Sequence, residues 1–472
     1  MKIAYITAGA AGMYCGTCMQ DNSLATSLIE DGHEVSLIPT YTPTRTDEAG
    51  VADEHIFFGA LNVYFQQNVS FFRRNRFFDR LLDNQRLLGW VGKLAGKAST
   101  DARDLGAMTL SMLEGEKGHQ ARELQKLVDF LGEIIQPDVV HLSTTLFAGF
   151  ARQIQDELGV PVVCGLQGED LFFEDLIEPY KSKVEKEVLE RSAEIEAFTA
   201  PCNYYADFMA ERYGIPRERI HVTRLSIDSD ELVKASAIKP AHDDTLVVGY
   251  LARQCPEKGL HHLVDAFQIL AKQYPAERLK LRVAGFINVK DEEYVADLHK
   301  RVDEMGLSDQ VDWLGEVDRQ GKIDFLNSLD VFSVPTVYHE PKGRFVPESL
   351  AIGVPVVLPD HGAFPEWIEK TGGGRLFKPE NPDALAASLR ELLDRPEERF
   401  RLAEAGQKAV REQFRPDQMA DDNLALYRSL VDGAGSGSTS ASSVDSSELP
   451  PMPPGSVQSA STEKKSGDAV HV

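Results

Sequence analysis

The run Val334-Pro335-Thr336-Val337-Tyr338-His339-Glu340-Pro341-Lys342-Gly343-Arg344-Phe345-Val346-Pro347-Glu348-Ser349-Leu350-Ala351 holds a strand end, a loop and a helix start. Val331 to Val334 is an apolar strand that stops at Pro335. Pro347, with its φ already fixed, suits a first helical position, which puts Glu348 in the first turn and Gly353 at the close of a short helix. Val354 to Leu358 is then the next strand. Strand, loop, helix and strand in this order belong to a parallel α/β sheet, whose loops at the strand ends face a cleft. Free amides of the loop and helix start there favour anionic ligand groups. Glu340 and Glu348, one at each end of the loop, accept hydrogen bonds only, which suits hydroxyl-rich partners such as ribose and hexose.

The same rhythm extends in both directions. Lys2 to Thr7 is an apolar run ending in a glycine-bearing loop, Gly9 to Gly16, followed by helical spacing at Leu24 and Leu28 and a strand at Glu34 to Ile38. Further strands fall at Asp138 to Leu142, Val160 to Cys164, Ala197 to Ala200 and Ile220 to Leu225. After a polar, proline-bearing linker at Ser236 to Thr245, a second series opens at Leu246 to Leu251 and continues at Leu279 to Ala284 and Val311 to Leu314. The fold class is α/β, two doubly wound Rossmann-like domains facing a central cleft, spanning 1–235 and 246–410. A helix over 411–432 crosses back to the first domain, and a disordered tail follows.

Composition sets the limits. The 40 residues from Gly433 include 11 Ser, 5 Gly and 4 Pro, so 433–472 reads as the tail. A net charge of -24 argues against nucleic acid as partner. Five scattered cysteines, no signal-like start and no apolar run long enough for a membrane span predict a cytoplasmic protein. Between Phe71 and Arg103, inside a helical insertion at about 60–118, basic residues outnumber acidic ones eight to three. Arg73, Arg74 and Arg76 there are either a solvated face or a basic amphipathic surface that meets an anionic acceptor or the inner membrane face.

Glu340 and Glu348, with Pro341, Gly343 and the Gly353-Val354-Pro355-Val356-Val357 run, resemble the signature of family 4 glycosyltransferases, retaining enzymes of the GT-B fold. Gly249-Tyr250-Leu251-Ala252-Arg253-Gln254-Cys255-Pro256-Glu257-Lys258-Gly259 resembles a second family stretch. The resemblance implies transfer of a sugar from a nucleotide diphosphate donor in the second domain to an acceptor hydroxyl held by the first. It implies that Glu348 holds the ribose, Glu340 the transferred sugar, and Arg253 and Lys258 the diphosphate. Lys342, Gly343, Arg344, Phe345, Val346 and, from the first loop, Gly12 complete the donor surface. Lys342 and Arg344 replace apolar residues of the family pattern, leaving the sugar open. Gln167 stands where many members have a histidine; with Glu169 and Asp170 it is a candidate for holding acceptor or sugar, Asp170 being alternatively a helix cap.

The negative charge that grows on the leaving oxygen of a departing diphosphate suits Arg253 and Lys258 as two fixed cations without a metal, so no cofactor is expected beyond the sugar nucleotide as co-substrate. Asp228-Ser229-Asp230, at the domain boundary, is assigned no metal. Cys15 and Cys18 are open between structural, redox and metal roles, and His141 between a buried strand end and an active role. A noncatalytic sugar-nucleotide or glycan-binding protein, or an epimerase or hydrolase of the same fold, is the alternative reading.

Overall fold

Alternate residues along the first strands face opposite ways, and both faces are covered. Ala4, Ile6, Val140, Leu142 and Val162 join one core, whereas Ile3, Tyr5, Val139 and Val163 join another, and all are buried. That double burial is why these strands read as continuous apolar runs rather than alternating ones. The computed structural model describes residues 1–9, 16–41, 102–236 and 245–436, with 44, 46, 50–52 and 57 between the second and third of these stretches.

Two six-stranded parallel sheets result. In the first, β1 (Lys2–Thr7), β2 (Glu34–Pro39), β3 (Val139–Leu142), β4 (Val162–Gly165), β5 (Ala197–Ala200) and β6 (Ile220–Val222) lie in the order β2-β1-β3-β4-β5-β6. The second holds β7 (Leu246–Leu251), β8 (Leu279–Ala284), β9 (Val311–Gly315), β10 (Val331–Phe332), β11 (Val356–Pro359) and β12 (Gly374–Phe377), ordered β12-β11-β10-β7-β8-β9. The winding of the second sheet reverses between β7 and β10, which pair through Val248 and Val331. Loops leaving the carboxyl ends of those two strands therefore diverge and open a crevice. This is the GT-B architecture.

The helix Pro416–Ser436 returns to the first sheet and packs on the helix Gly16–Glu30. Met419, Ala420, Leu424 and Tyr427 fill the core beside Leu24, Ala25 and Leu28. Asp422 receives both Arg224 Nε at 2.8 Å and Nη2 at 2.6 Å, a forked pair that fixes the helix against the segment after β6. No described helix is long and apolar enough to cross a membrane. The basic segment with Arg73, Arg74 and Arg76, together with Gly12, Cys15 and the serine-rich tail from 437, lies outside the described residues.

Candidate active site

The loops after β7 and β10 are pressed together at one point. Gly259, at φ +70°, ends a single 3-10 turn, Pro256–Lys258, and a Cβ there would stand 1.7 Å from the Pro335 carbonyl oxygen. Only glycine permits the approach, and the approach delivers Lys258 to Glu340. Lys258 Nζ lies 2.6 Å from Glu340 Oε2 and 2.6 Å from the Tyr338 hydroxyl, which also donates to Glu340 Oε2. The ammonium also sits 4.9 Å from the Tyr338 ring centre and 5.6 Å from that of Phe345. Burial pushes the Glu340 carboxyl up, but Lys258, Tyr338 and the Gly343 amide outweigh it and hold the group below its ordinary value. Glu340 is a buried carboxylate that stays ionised.

Glu348 forms a second buried charge group. Its helix runs Phe345–Ile352, so it begins two residues before Pro347. Any of the first four amides of a helix lacks an internal partner, so proline marks the first turn rather than its first residue. Glu348 Oε1 receives Lys322 Nζ at 3.2 Å and Arg344 Nε at 3.3 Å. All three side chains are buried. The expected free amides of this loop are in part taken: Gly343 N donates to Glu340 Oε1 at 3.2 Å and Val346 N to the Gly343 carbonyl at 2.8 Å. Val346 itself is fully buried core, while Phe345 packs between Phe332 and Phe364 with ring centres 6.0 Å away.

Arg253 is on the β7 loop with Lys258 but meets different partners. Its Nε donates to Cys255 Sγ at 3.2 Å, and its Nη2 is 3.9 Å from Glu257 Oε2. Its side chain is 37% exposed.

Across the crevice, the segment after β4 carries the remaining candidates. Gln167 Nε2 donates to Asp21 Oδ1 at 2.9 Å, and Gln167 Oε1 accepts from Lys342 Nζ at 2.7 Å. Lys342 also donates to Thr17 Oγ1 at 2.8 Å. Asp21 further receives Tyr5 and Thr7 hydroxyls at 2.8 and 2.7 Å, and burial pushes its carboxyl up to about 6. Glu169 is committed to the loop itself, accepting from Thr145 Oγ1 at 2.7 Å and from the Gln167 amide at 2.7 Å. Asp170 makes no cap: it is the first residue of Asp170–Glu174, its carboxylate receives the Tyr205 hydroxyl at 2.7 Å, and burial raises it to about 6. His141 is a buried strand residue 2.6 Å from the Tyr427 hydroxyl, and burial pushes its pKa down to about 3, so it is neutral. Asp228 turns inward on its own segment, accepting from the Asp230 amide at 3.3 Å.

Lys322, Tyr338 and Asp21 were not singled out by sequence. Lys322 lies in an ordinary amphipathic helix, Arg319–Asn327, and only the tertiary fold turns it toward Glu348. Tyr338 stands two residues before Glu340, the one local signal available.

Residues 234–409 match the family described as glycosyl transferases group 1, and residues 109–231 match glycosyltransferase family 4. Mannosylfructose-phosphate synthase from Agrobacterium fabrum is 27% identical over 297 residues, covering 61% of this chain and 63% of that protein. MMP alpha-(1->4)-mannosyltransferase from Mycolicibacterium hassiacum is 28% identical over 222 residues, covering 46% and 50%. The chain thus spans between half and two thirds of the length of these curated relatives. Among solved structures, Anabaena Alr3699/HepE in complex with UDP gives a TM-score of 0.64 at 18% identity, covering 91% of this chain and 100% of that one. At that identity the likeness is one of fold.

Proposed function

Because the chain belongs to the glycosyltransferases, with one family model on each lobe, we propose that it transfers a sugar from a nucleotide diphosphate to an acceptor hydroxyl, with retention of anomeric configuration. The observation that carries this reading is the contact of Lys258 with Glu340 at the β7/β10 crossing, beside the buried Glu348 group. A ligand placed there meets, in order, a carboxylate for ribose hydroxyls, cations for phosphate and a carboxylate for sugar hydroxyls.

Glu348 accepts from the ribose, oriented by Lys322 and Arg344. Arg253 and Lys258 face the diphosphate, and Lys258 exchanges its hold on Glu340 for the phosphate oxygens as the donor enters. When the bond from the anomeric carbon to the phosphate oxygen breaks, its electron pair stays on that oxygen, beside the two cations. The acceptor hydroxyl approaches on the face the phosphate leaves, forms the new bond to the anomeric carbon and gives its proton to the departing phosphate. Gln167 and Thr17 line the acceptor side, with Asp21 buried behind Gln167, and closure of the crevice keeps water from taking the acceptor's place. The arginine-bearing segment at 71–86 is proposed, on sequence grounds, to contact the acceptor or the anionic surface that carries it.

Incubation with a panel of nucleotide sugars and candidate acceptors, followed by product analysis, tests the reading. Nucleotide diphosphate release matched by glycosylated product supports transfer. Release matched by free sugar makes the protein a hydrolase, and binding without release makes it a sugar-nucleotide receptor.

A further inference from the structure

The two cations that break the family pattern, Lys342 and Arg344, both hold groups outside the second sheet's lobe. Lys342 Nζ crosses the crevice to Thr17 and Gln167. Arg344 donates through Nε to Glu348 and through Nη1 to the Ser226 carbonyl at 3.3 Å. Ser226 lies where the chain passes between lobes, and the two passages run side by side there. The Ile227 amide donates to the Phe414 carbonyl at 3.3 Å, and Ser226 Oγ lies 3.4 Å from Met419 Sδ. The loop that carries Glu340 and Glu348 is therefore anchored at the hinge by one cation and at the opposite wall by the other. Gly168, on that wall, is at φ +100°, and a Cβ there would meet the Pro341 ring at 2.9 Å, so the wall and the loop abut.

We propose that Lys342 and Arg344 are positioning residues that couple docking of the two lobes to the geometry of the donor carboxylates, rather than readers of a charged sugar. The proposal rests on the donor reading of Glu340 and Glu348. A buried ammonium or guanidinium needs acceptors, and here Thr17 Oγ1, Gln167 Oε1 and the Ser226 carbonyl, all outside the second sheet's lobe, are among them. When the lobes separate, Arg344 loses the Ser226 carbonyl and Glu348 loses a fixed partner. The ribose contact then forms at full strength only in the docked state. Glu366 adds a third crossing, accepting from the Tyr204 amide at 2.7 Å and the Asn203 amide at 3.3 Å at the start of the helix Asn203–Tyr213. That helix start is a natural reporter of docking.

The test uses the full chain and whichever of UDP, GDP and ADP the wild type binds most tightly, with calorimetry and hydrogen exchange read together. Arg344→Met weakens that diphosphate by about tenfold or more, the loss expected for a charge-assisted hydrogen bond. Arg344→Lys recovers only part of it, since a lysine lacks the fork that reaches both oxygens. In the wild type, saturating diphosphate slows exchange at 203–206 and 223–227; in Arg344→Met, at saturation, that protection is lost. Lys342→Met weakens the glucose and glucuronate conjugates of that same diphosphate by the same factor. Full protection and affinity in Arg344→Met overturn the coupling. A loss confined to the glucuronate conjugate in Lys342→Met overturns it in favour of a charge reader. Wild-type affinity in Glu348→Ala, or no binding of any diphosphate, overturns instead the donor reading beneath it.

Discussion

Replacing Lys258 by methionine should turn the stability of the second lobe against neutral pH. Glu340 is buried, and Lys258 at 2.6 Å holds it ionised. In the wild type its carboxyl lies below the ordinary value of 4.5, so its contribution is present above pH 4.5 and is lost as the pH falls through the folded value. Without Lys258, burial, the largest single effect, is opposed only by the Tyr338 hydroxyl and the Gly343 amide, and is expected to lift the carboxyl above 4.5. The sign then reverses, and stability is lost as the pH rises from 4.5 through the new value. Removing one partner of a buried pair costs about 3 to 5 kcal/mol where the other remains charged. Protonation relieves part of this, with a slope limited to about 1.4 kcal/mol per pH unit for one proton. The deficit of Lys258→Met should therefore be about 1 to 3 kcal/mol smaller at pH 5 than at pH 7.5. Urea unfolding followed by tryptophan fluorescence reports it, because Trp313 and Trp367 belong to this lobe. Adding Glu340→Gln should recover most of the loss, since no buried charge is left unpaired. A deficit below about 1 kcal/mol, equal at both pH values, would refute the reasoning by showing the pair to be solvated.

Other outcomes follow from the same geometry. Arg253→Gln should lower kcat by a factor of about 100 while changing diphosphate affinity much less, because its charge matters most as the leaving oxygen forms; steady-state kinetics with calorimetry separates the two. Asp21→Asn should be at least as stable as wild type at pH 7. Burial lifts its carboxyl from 3.8 to about 6, which makes ionisation cost up to about 3 kcal/mol in the folded state. That advantage should shrink as the pH falls from 6 toward 4, and denaturation at pH 5 and pH 7 checks it. Neutralising Arg73, Arg74 and Arg76 together should raise acceptor KM and flatten its salt dependence without altering donor affinity; wild-type acceptor kinetics would make them a solvated face.

The strands were legible because burial on both faces leaves an unbroken apolar run, as in Lys2–Thr7, Leu246–Leu251 and Leu279–Ala284, whose limits match the sequence reading residue for residue. Gly374–Phe377 was not read as a strand, since Gly372-Gly373-Gly374 signals a loop and the short edge strand borrows its order from pairing with β11. Glu340 and Glu348 stood out because proline and glycine punctuate the loop between them. Asp21 and Lys322 did not, because nothing local distinguishes a polar residue on a helix that faces solvent from one that faces a crevice. What Lys342 and Arg344 reach lies 175 and 118 residues away in sequence, at Gln167 and Ser226. Such partners are set by the packing of two lobes and leave no periodic trace.

The donor site is the centre of the account, and a crystal structure with the tightest-binding nucleoside diphosphate tests it most directly. The ribose hydroxyls are expected on Glu348, the phosphates between Arg253 and Lys258, and Lys258 Nζ turned from Glu340 toward a phosphate oxygen. A nucleotide seated instead on the loop after β1, with the contact between Lys258 and Glu340 intact, would contradict it.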